Sequence, residues 1–496
     1  MRLLLLETIT GSGDEVETRY PPLGLAYLAA YVRSHCDVDP RIFTASAREV
    51  PAIVRQTQPD IVGIASVTQN FDEAVISARA IKAWRDVPVI VGGHHITAIP
   101  ESLDEHMDIA VLGEGEQTLQ EVVIICSEGG LSPDALSKVN GIAFRRDGRL
   151  VITPHRPPVE NLDSLPIPAR DLLHIRGDEM HMLTSRGCLY RCAFCSSSHF
   201  WGGVRFHSAE RVVAEISEIV AAYSPSRINI YDDLFAANKK RLRQIACLLE
   251  QEDFMSRKEV AFSCLARADA ADAEIVGLLK RINVTDVAFG LESGADRVLK
   301  RLKGGPASVR QNMRAVGLFK KAGMRVVGSF IMGSPTETLE DAQATLSCIR
   351  ELRLDGGEAY LAVPYPGTRL WDHAQERKLI PSNVSWSSFC FSPRKNPLVL
   401  TDQISPGEVL GLLEEANWLL SCSRAKGRKY SFLDRRLWAF FFGGSLILKA
   451  MVSLLRDPEA IRPEKRSHAK LHRDSLFACP ACRSSQEPTR EADGSE

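Results

Sequence analysis

Thr184-Ser185-Arg186-Gly187-Cys188-Leu189-Tyr190-Arg191-Cys192-Ala193-Phe194-Cys195 puts three thiols into one short loop, and its flanks decide the fold. The residues before it, His181 to Ser185, read as a β-strand. After it come five more strand-like runs, at Arg227 to Tyr231, Val260 to Leu265, Thr285 to Leu291, Arg325 to Ile331 and Glu358 to Val363. Apolar residues at helical spacing fill the gaps, at Ala209 to Tyr223, Lys239 to Gln251, Asp272 to Arg281, Ser308 to Ala322 and Leu339 to Arg350. Six right-handed strand–helix units predict an open (βα)6 partial TIM barrel over residues 177–380, with its chemistry at the carboxyl-end mouth.

Upstream, residues 1–130 alternate in the same way. Strands are expected at Arg2 to Glu7, Arg41 to Thr44, Asp60 to Val67, Pro88 to Gly92 and Ile109 to Gly113, and helices at Leu23 to Arg33, Asp72 to Trp84 and Gln117 to Ser127. Continuous β-rich runs between helices imply a parallel sheet covered on both faces, a doubly wound α/β domain. Ligands of such sheets sit beyond the carboxyl strand ends. Those ends carry Ser66 to Asn70, then Gly92, Gly93, His94 and His95, then Gly113, Glu114, Gly115 and Glu116.

Residues 131–176 are Pro-rich and charged and read as a linker, with a small hairpin expected around Arg146, Asp147 and Gly148. Residues 381–465 read as a mainly helical C-terminal region, and residues 466–496 as a disordered tail. The apolar run from Trp438 to Leu455 is broken by Gly443, Gly444 and Lys449. It predicts a helix packed on the protein, membrane contact being the less favoured reading. No internal repeat of solenoid period is present.

At 496 residues the chain is long enough for several domains. Its 61 Lys plus Arg and 62 Asp plus Glu nearly cancel, so charge implies no nucleic-acid partner. The N-terminus lacks the plan of a secretory signal, and twelve scattered cysteines do not make an extracellular disulfide framework. A cytoplasmic protein with reduced thiols is expected.

Thiols separated by three and then two residues can wrap one loop around a cubane. Three ligands on four irons leave one iron open, whereas electron-transfer clusters usually have all four held by cysteine. Structural zinc stays open as an alternative, with His199 or His207 as a fourth ligand. The pattern C-x3-C-x-F-C after a barrel strand resembles the radical S-adenosylmethionine (SAM) superfamily. The resemblance implies a [4Fe–4S] cluster on Cys188, Cys192 and Cys195. Its open iron would chelate SAM, and one electron would cleave SAM to a 5′-deoxyadenosyl radical. The same resemblance puts Phe194 near the adenine, its alternative being a core role, and Tyr231 and Asp232 near the methionine end. It makes Glu292 and Ser293 SAM contacts. Arg267 is a candidate partner for a cofactor carboxylate, the alternative being an ion pair with Asp269 or Asp272. Asp232 and Asp233 could equally cap the helix from Lys239. Gly333-Ser334-Pro335 and Pro364 to Thr368 close the last two units.

Pro21-Pro22-Leu23-Gly24, with Ser66 and the glycine-rich strand ends, resembles the cobalamin-binding domain that precedes the barrel in one large radical subclass. That resemblance implies cobalamin contacts from Leu23, Gly24, Ser66, Gly92, Gly93, His94, Gly113, Glu114, Gly115 and Glu116. The Asp-x-His-x-x-Gly of many cobalamin proteins is missing from Thr8 to Glu15, so no axial histidine is expected below the cobalt. His94 and His95 are expected to bond their own loop.

The expectation is a cobalamin-dependent radical SAM enzyme, a C-methyltransferase acting on an unactivated carbon of a small molecule with a reductant such as flavodoxin or ferredoxin. The alternatives are a radical cyclase or rearrangement enzyme of the same architecture and a non-catalytic cobalamin sensor. Cys479 and Cys482 read as an exposed thiol pair rather than half a metal site.

Overall fold

The computed structural model describes residues 1–10, 21–175, 177–257, 259–381, 384–390 and 398–422. The run Trp438 to Leu455, Cys479, Cys482, most of the loop Thr8 to Glu15 and the tail lie outside them.

The first sheet runs β2-β1-β3-β4-β5-β6-β7, from β1 (Arg2–Thr8), β2 (Asp39–Ala45), β3 (Ile61–Ala65), β4 (Val89–Gly92), β5 (Ile109–Val111), β6 (Ile142–Arg146) and β7 (Arg149–Ile152). The first five strands are parallel. Successive leucines of β1 explain why it lies inside the sheet, between β2 and β3. Leu4 and Leu6 enter one apolar core with Val62, Ile64, Val89 and Val91, while Leu3 and Leu5 enter another with Leu25, Ile61, Ile90 and Leu119. Both faces are therefore buried, as period-two alternation across a covered parallel sheet demands.

The region expected to be a linker is corrected in part. β6 pairs antiparallel with β5, Ile109 opposite Phe144, and β7 returns along β6. Asp147 and Gly148 both have left-handed backbone, with φ of 51° and 76°, as an Asp-Gly hairpin turn requires. Ile142, Ala143 and Phe144 are fully buried, so this hairpin completes the N-terminal sheet.

The second sheet is a six-stranded parallel half-barrel in the order β15-β14-β13-β12-β11-β8, from β8 (Glu179–Met182), β11 (Arg227–Ile230), β12 (Ala261–Ala266), β13 (Val284–Glu292), β14 (Arg325–Met332) and β15 (Gly356–Leu361). Its first strand stops three residues short of expectation. Ser185 and Arg186 leave it to form β9, which pairs antiparallel with β10 (Arg205–Phe206). At the far edge, the side chain of Asn417, in the helix Pro406–Cys422, accepts from the Ala359 N–H at 2.8 Å and donates to the Ala359 carbonyl at 2.9 Å. An amide thereby satisfies backbone groups that an open edge strand leaves free. Among the described residues no helix is long and apolar enough to cross a membrane.

Candidate active site

Two buried side chains, Asp232 and Arg241, shape the entry to the cysteine loop. Asp232 is fully buried and accepts the backbone N–H groups of Thr184 (2.5 Å) and Ser185 (3.1 Å) and both of their hydroxyls. The oxygens of Asp232, expected near the methionine end, are occupied in turning the chain out of β8. Arg241 supports the same turn from the Thr184 and His207 carbonyls, each at 2.7 Å. Tyr231 stacks on His181 with ring centroids 4.9 Å apart. Gly187 has a φ of 84°, and a Cβ there would lie 1.9 Å from the Gly203 carbonyl, so only glycine fits before Cys188.

Cys188, Cys192 and Cys195 are free, half-buried thiols. The loop is strapped to the barrel where Ala193 N–H donates to Leu302 O and Leu370 N–H to Ala193 O. Burial pushes the Cys195 thiol up to about 12, with Asp233, Cys192 and Cys188 adding to the shift, and raises Cys188 in the same way. Asp233, rather than Asp232, is the carboxylate facing this group. It takes a hydrogen bond from the Ser197 hydroxyl, while the helix Lys239–Leu249 is capped by Asn238. Three thiolates beside a carboxylate repel one another, so their deprotonated form needs a strongly cationic guest. A cluster of ferric and ferrous iron meets that need. No three His, Cys, Asp or Glu among the described residues converge as a single ion requires, and a cubane spreads its ligands over separate irons.

Phe194 packs against the core made by Val298, Leu302 and Ile331. Arg267 chooses the ion pair: its Nε and Nη2 donate to Asp269 at 2.8 and 2.7 Å, while Asp272 pairs with Lys239 and caps the helix Ala273–Arg281. Ser293 is buried, 3.2 Å from the Thr345 hydroxyl, and accepts the Ala295 N–H. Glu292 stands out. It has a φ of 61°, follows a register shift in β13 and is buried 3.8 Å from Lys303. Left-handed backbone at a non-glycine residue costs about 1–3 kcal/mol and clusters at functional sites.

Glu337 follows Gly333-Ser334-Pro335 at the end of β14. Its Oε2 accepts the N–H groups of Gly333 and Ser334, and burial raises its carboxyl to about 7. Because the folded pKa exceeds the unfolded one, stability from this group is full below about 4.5 and is lost as pH rises through about 7. Glu337→Gln should therefore raise stability relative to the parent at pH 8 and flatten the slope between pH 5 and 8, read by urea melts. Equal slopes in parent and variant would sink this assignment.

At the edge of the first sheet, Ser66 donates to Asn70, whose amide donates to the Thr8 carbonyl, so the ends of β1 and β3 share one knot. Leu23 is buried at a helix start, whereas a Cβ on Gly24 would meet nothing and one on Gly92 only ordinary contacts. Gly93 is different. Its φ is 118°, and a Cβ would lie 2.2 Å from the Ser66 carbonyl. Gly93→Ala should lower stability by more than about 1 kcal/mol, measured by chemical denaturation, and an unchanged midpoint would refute the steric argument. His95 is buried against Phe71 and Trp386, and burial pulls its pKa down to about 4. His94 stacks on Phe200 at 4.0 Å and lies 3.4 Å from the Ser196 hydroxyl, just past Cys195.

The acidic loop is held by its own hydrogen bonds and ion pairs. Gly113, in left-handed backbone, donates to Thr97, and Gly115 packs on Leu28. Glu114 pairs with Arg205 at 2.5 Å and lies 3.6 Å from Arg186, while Glu116 pairs with Arg186 at 2.5 Å. The Arg186 guanidinium lies over the rings of Tyr27 and Trp201. These glutamates tie the glycine-rich strand end to β9 and β10. Sequence reasoning quoted Arg186 and gave it no role; two acids on a glycine-rich loop were a signal for a cationic partner.

Two family models match: the Radical SAM superfamily over residues 182–349 and the B12 binding domain over residues 9–123. A Pyrococcus horikoshii protein named as an uncharacterized methyltransferase is 34% identical over 405 residues, covering 78% of this chain and 86% of that protein. The chain belongs to the radical SAM superfamily, in its cobalamin-binding branch. The anaerobic magnesium-protoporphyrin IX monomethyl ester cyclase of Rubrivivax gelatinosus is 26% identical over 430 residues, 83% of this chain and 75% of that one. TsrM of Kitasatospora setae, described as a radical SAM methyltransferase with cobalamin and a [4Fe–4S] cluster bound, shares the fold. The TM-score is 0.63 at 18% identity, over 76% of this chain and 75% of TsrM. This radical SAM enzyme accordingly uses a [4Fe–4S] cluster and SAM in its barrel and cobalamin in its N-terminal domain.

Proposed function

We propose that the enzyme is a C-methyltransferase that moves a methyl group from SAM, by way of cobalamin, to an unactivated carbon of a small molecule. The observation that carries this reading is the meeting of two edges. The loop with the three cysteines touches the carboxyl edge of the N-terminal sheet through His94 and Ser196, His94 and Phe200, and Arg186 and Glu116. Two centres on facing edges suit a reaction in which a substrate radical forms at one and meets a methyl donor at the other. The methyltransferase name of the 34% identical relative supports the same choice.

In this reading Cys188, Cys192 and Cys195 hold the cluster, and the strained Glu292 reaches SAM, with Ser293 fixing the turn after it. Leu23, Gly24, Ser66, Gly92, Gly93, His94, Gly113 and Gly115 shape the corrin site. The bound cofactors supply a carbon radical initiator and a transferable methyl group. The chain holds the barrel mouth against the sheet edge, keeps His94 neutral by burial, and fixes Asp233 beside the thiols. Electrons come from an external one-electron donor such as flavodoxin or ferredoxin.

The cyclase relative favours a second reading, ring closure without methyl transfer. Product mass with the true substrate, under anaerobic reductant, separates the two. A gain of one methylene unit is expected, and a product that has lost hydrogen without gaining carbon would sink the methyltransferase reading.

A further inference from the structure

We propose that Arg267 sets the reduction potential of the cluster through an N–H hydrogen bond from Nη1 to the sulfur of Cys192. The contact is 3.2 Å long. The rest of the guanidinium is fixed independently: its other edge is bidentate on Asp269, its face lies 3.6 Å from the Tyr190 ring centroid, and its side chain is only 6% exposed. Asp269 sits on the same turn after β12, and Tyr190 in the cysteine loop itself, so barrel and loop both aim this group. The three sulfurs are treated unequally. The Cys192 sulfur takes a charged donor, and among the described residues no such donor reaches Cys188 or Cys195.

A ligand sulfur that accepts a charge-assisted hydrogen bond gives up electron density. The reduced cluster carries one more negative charge than the oxidised one, so it gains more from the donor and the potential rises. One electron arrives from the reductant, and no bond forms or breaks. These contacts use three of the five guanidinium N–H groups, including the whole Nε–Nη2 edge. Arg267 is thus a positioning and tuning residue for electron entry, one step before SAM is cleaved.

The inference rests on Cys192 being a cluster ligand, which loss of iron in Cys192→Ala tests separately. The full chain is reconstituted with iron and sulfide, without SAM, and titrated potentiometrically while the EPR signal of the reduced cluster is followed. Arg267→Leu, and Arg267→Leu with Asp269→Asn to avoid a buried lone carboxylate, should lower the reduced-to-oxidised ratio at a fixed potential about tenfold. That is about 59 mV for a one-electron couple. Arg267→Lys, which keeps the charge without the fork, should fall between. An unchanged midpoint in the variants that hold iron, with weakened SAM binding, would overturn the proposal and return Arg267 to the SAM site. Loss of iron from all three variants would also overturn it, because Arg267 would then be holding the loop rather than tuning it.

Discussion

Replacing Cys192 with alanine is expected to give a folded protein whose reconstituted iron falls from about four per chain to near zero. Formation of 5′-deoxyadenosine should drop below detection with it. Three ligands already leave one iron open, and two cannot hold a cubane against chelators. Folding should survive because the thiols are half-buried in a loop whose shape is set by other groups: the Asp232 hydrogen bonds, Gly187 and the Ala193 straps. The change leaves in place the Cys188 and Cys195 thiols, which burial raises and so keeps neutral, and stability without iron should move within about 1 kcal/mol. Iron analysis, EPR and melting of the apoprotein together make the check. Full iron content in the variant would remove Cys192 from the cluster.

The second large effect belongs to Arg186. With a side-chain exposure of 6%, it is paired to Glu116 and near Glu114, whose own exposures are 5% and 7%. Arg186→Met strands at least the Glu116 carboxylate in the seam, and breaking one partner out of a buried pair costs about 3–5 kcal/mol. Glu114 keeps Arg205 and should suffer less. Adding Glu116→Gln to Arg186→Met should restore a large part of the loss, because the stranded charge disappears. Arg186→Lys should not rescue fully, since a point charge cannot span both carboxylates. Urea melts of the parent, the single variants Arg186→Met and Glu116→Gln, and the double variant give the coupling. Additive effects of the two changes would mean that the pair does not act as a unit.

Much of the fold was legible because β-rich runs of four or five residues, bounded by helical patterns, have few other uses. The hairpin at Ile142–Ile152 was recognised but assigned to a linker. An antiparallel strand added to a parallel sheet has no local mark; only burial of Phe144 against residues far upstream reveals it. The cysteine spacing was readable for the same reason a metal motif is, since its chemistry is local. Asp232 and Asp233 were not separable: neighbours at a strand end point in opposite directions, and only the structure says which faces the loop. The ion pairs of Glu114 and Glu116 were not legible because Arg186, their partner, lies about 70 positions away. Arg267 had a stated local alternative, and the local partner won because Asp269, two residues on, reaches it without ordering another element.

The hairpin also bears on how the chain is made. During synthesis the five parallel strands emerge first, and β5 then offers a bare edge of Ile109, Ala110 and Val111 until β6 arrives about 30 residues later. Unpaired apolar edges are where nascent chains stick to each other. The Asp147-Gly148 turn lets β6 and β7 pair as soon as they leave the ribosome, and the finished ribbon closes that edge before the barrel exists.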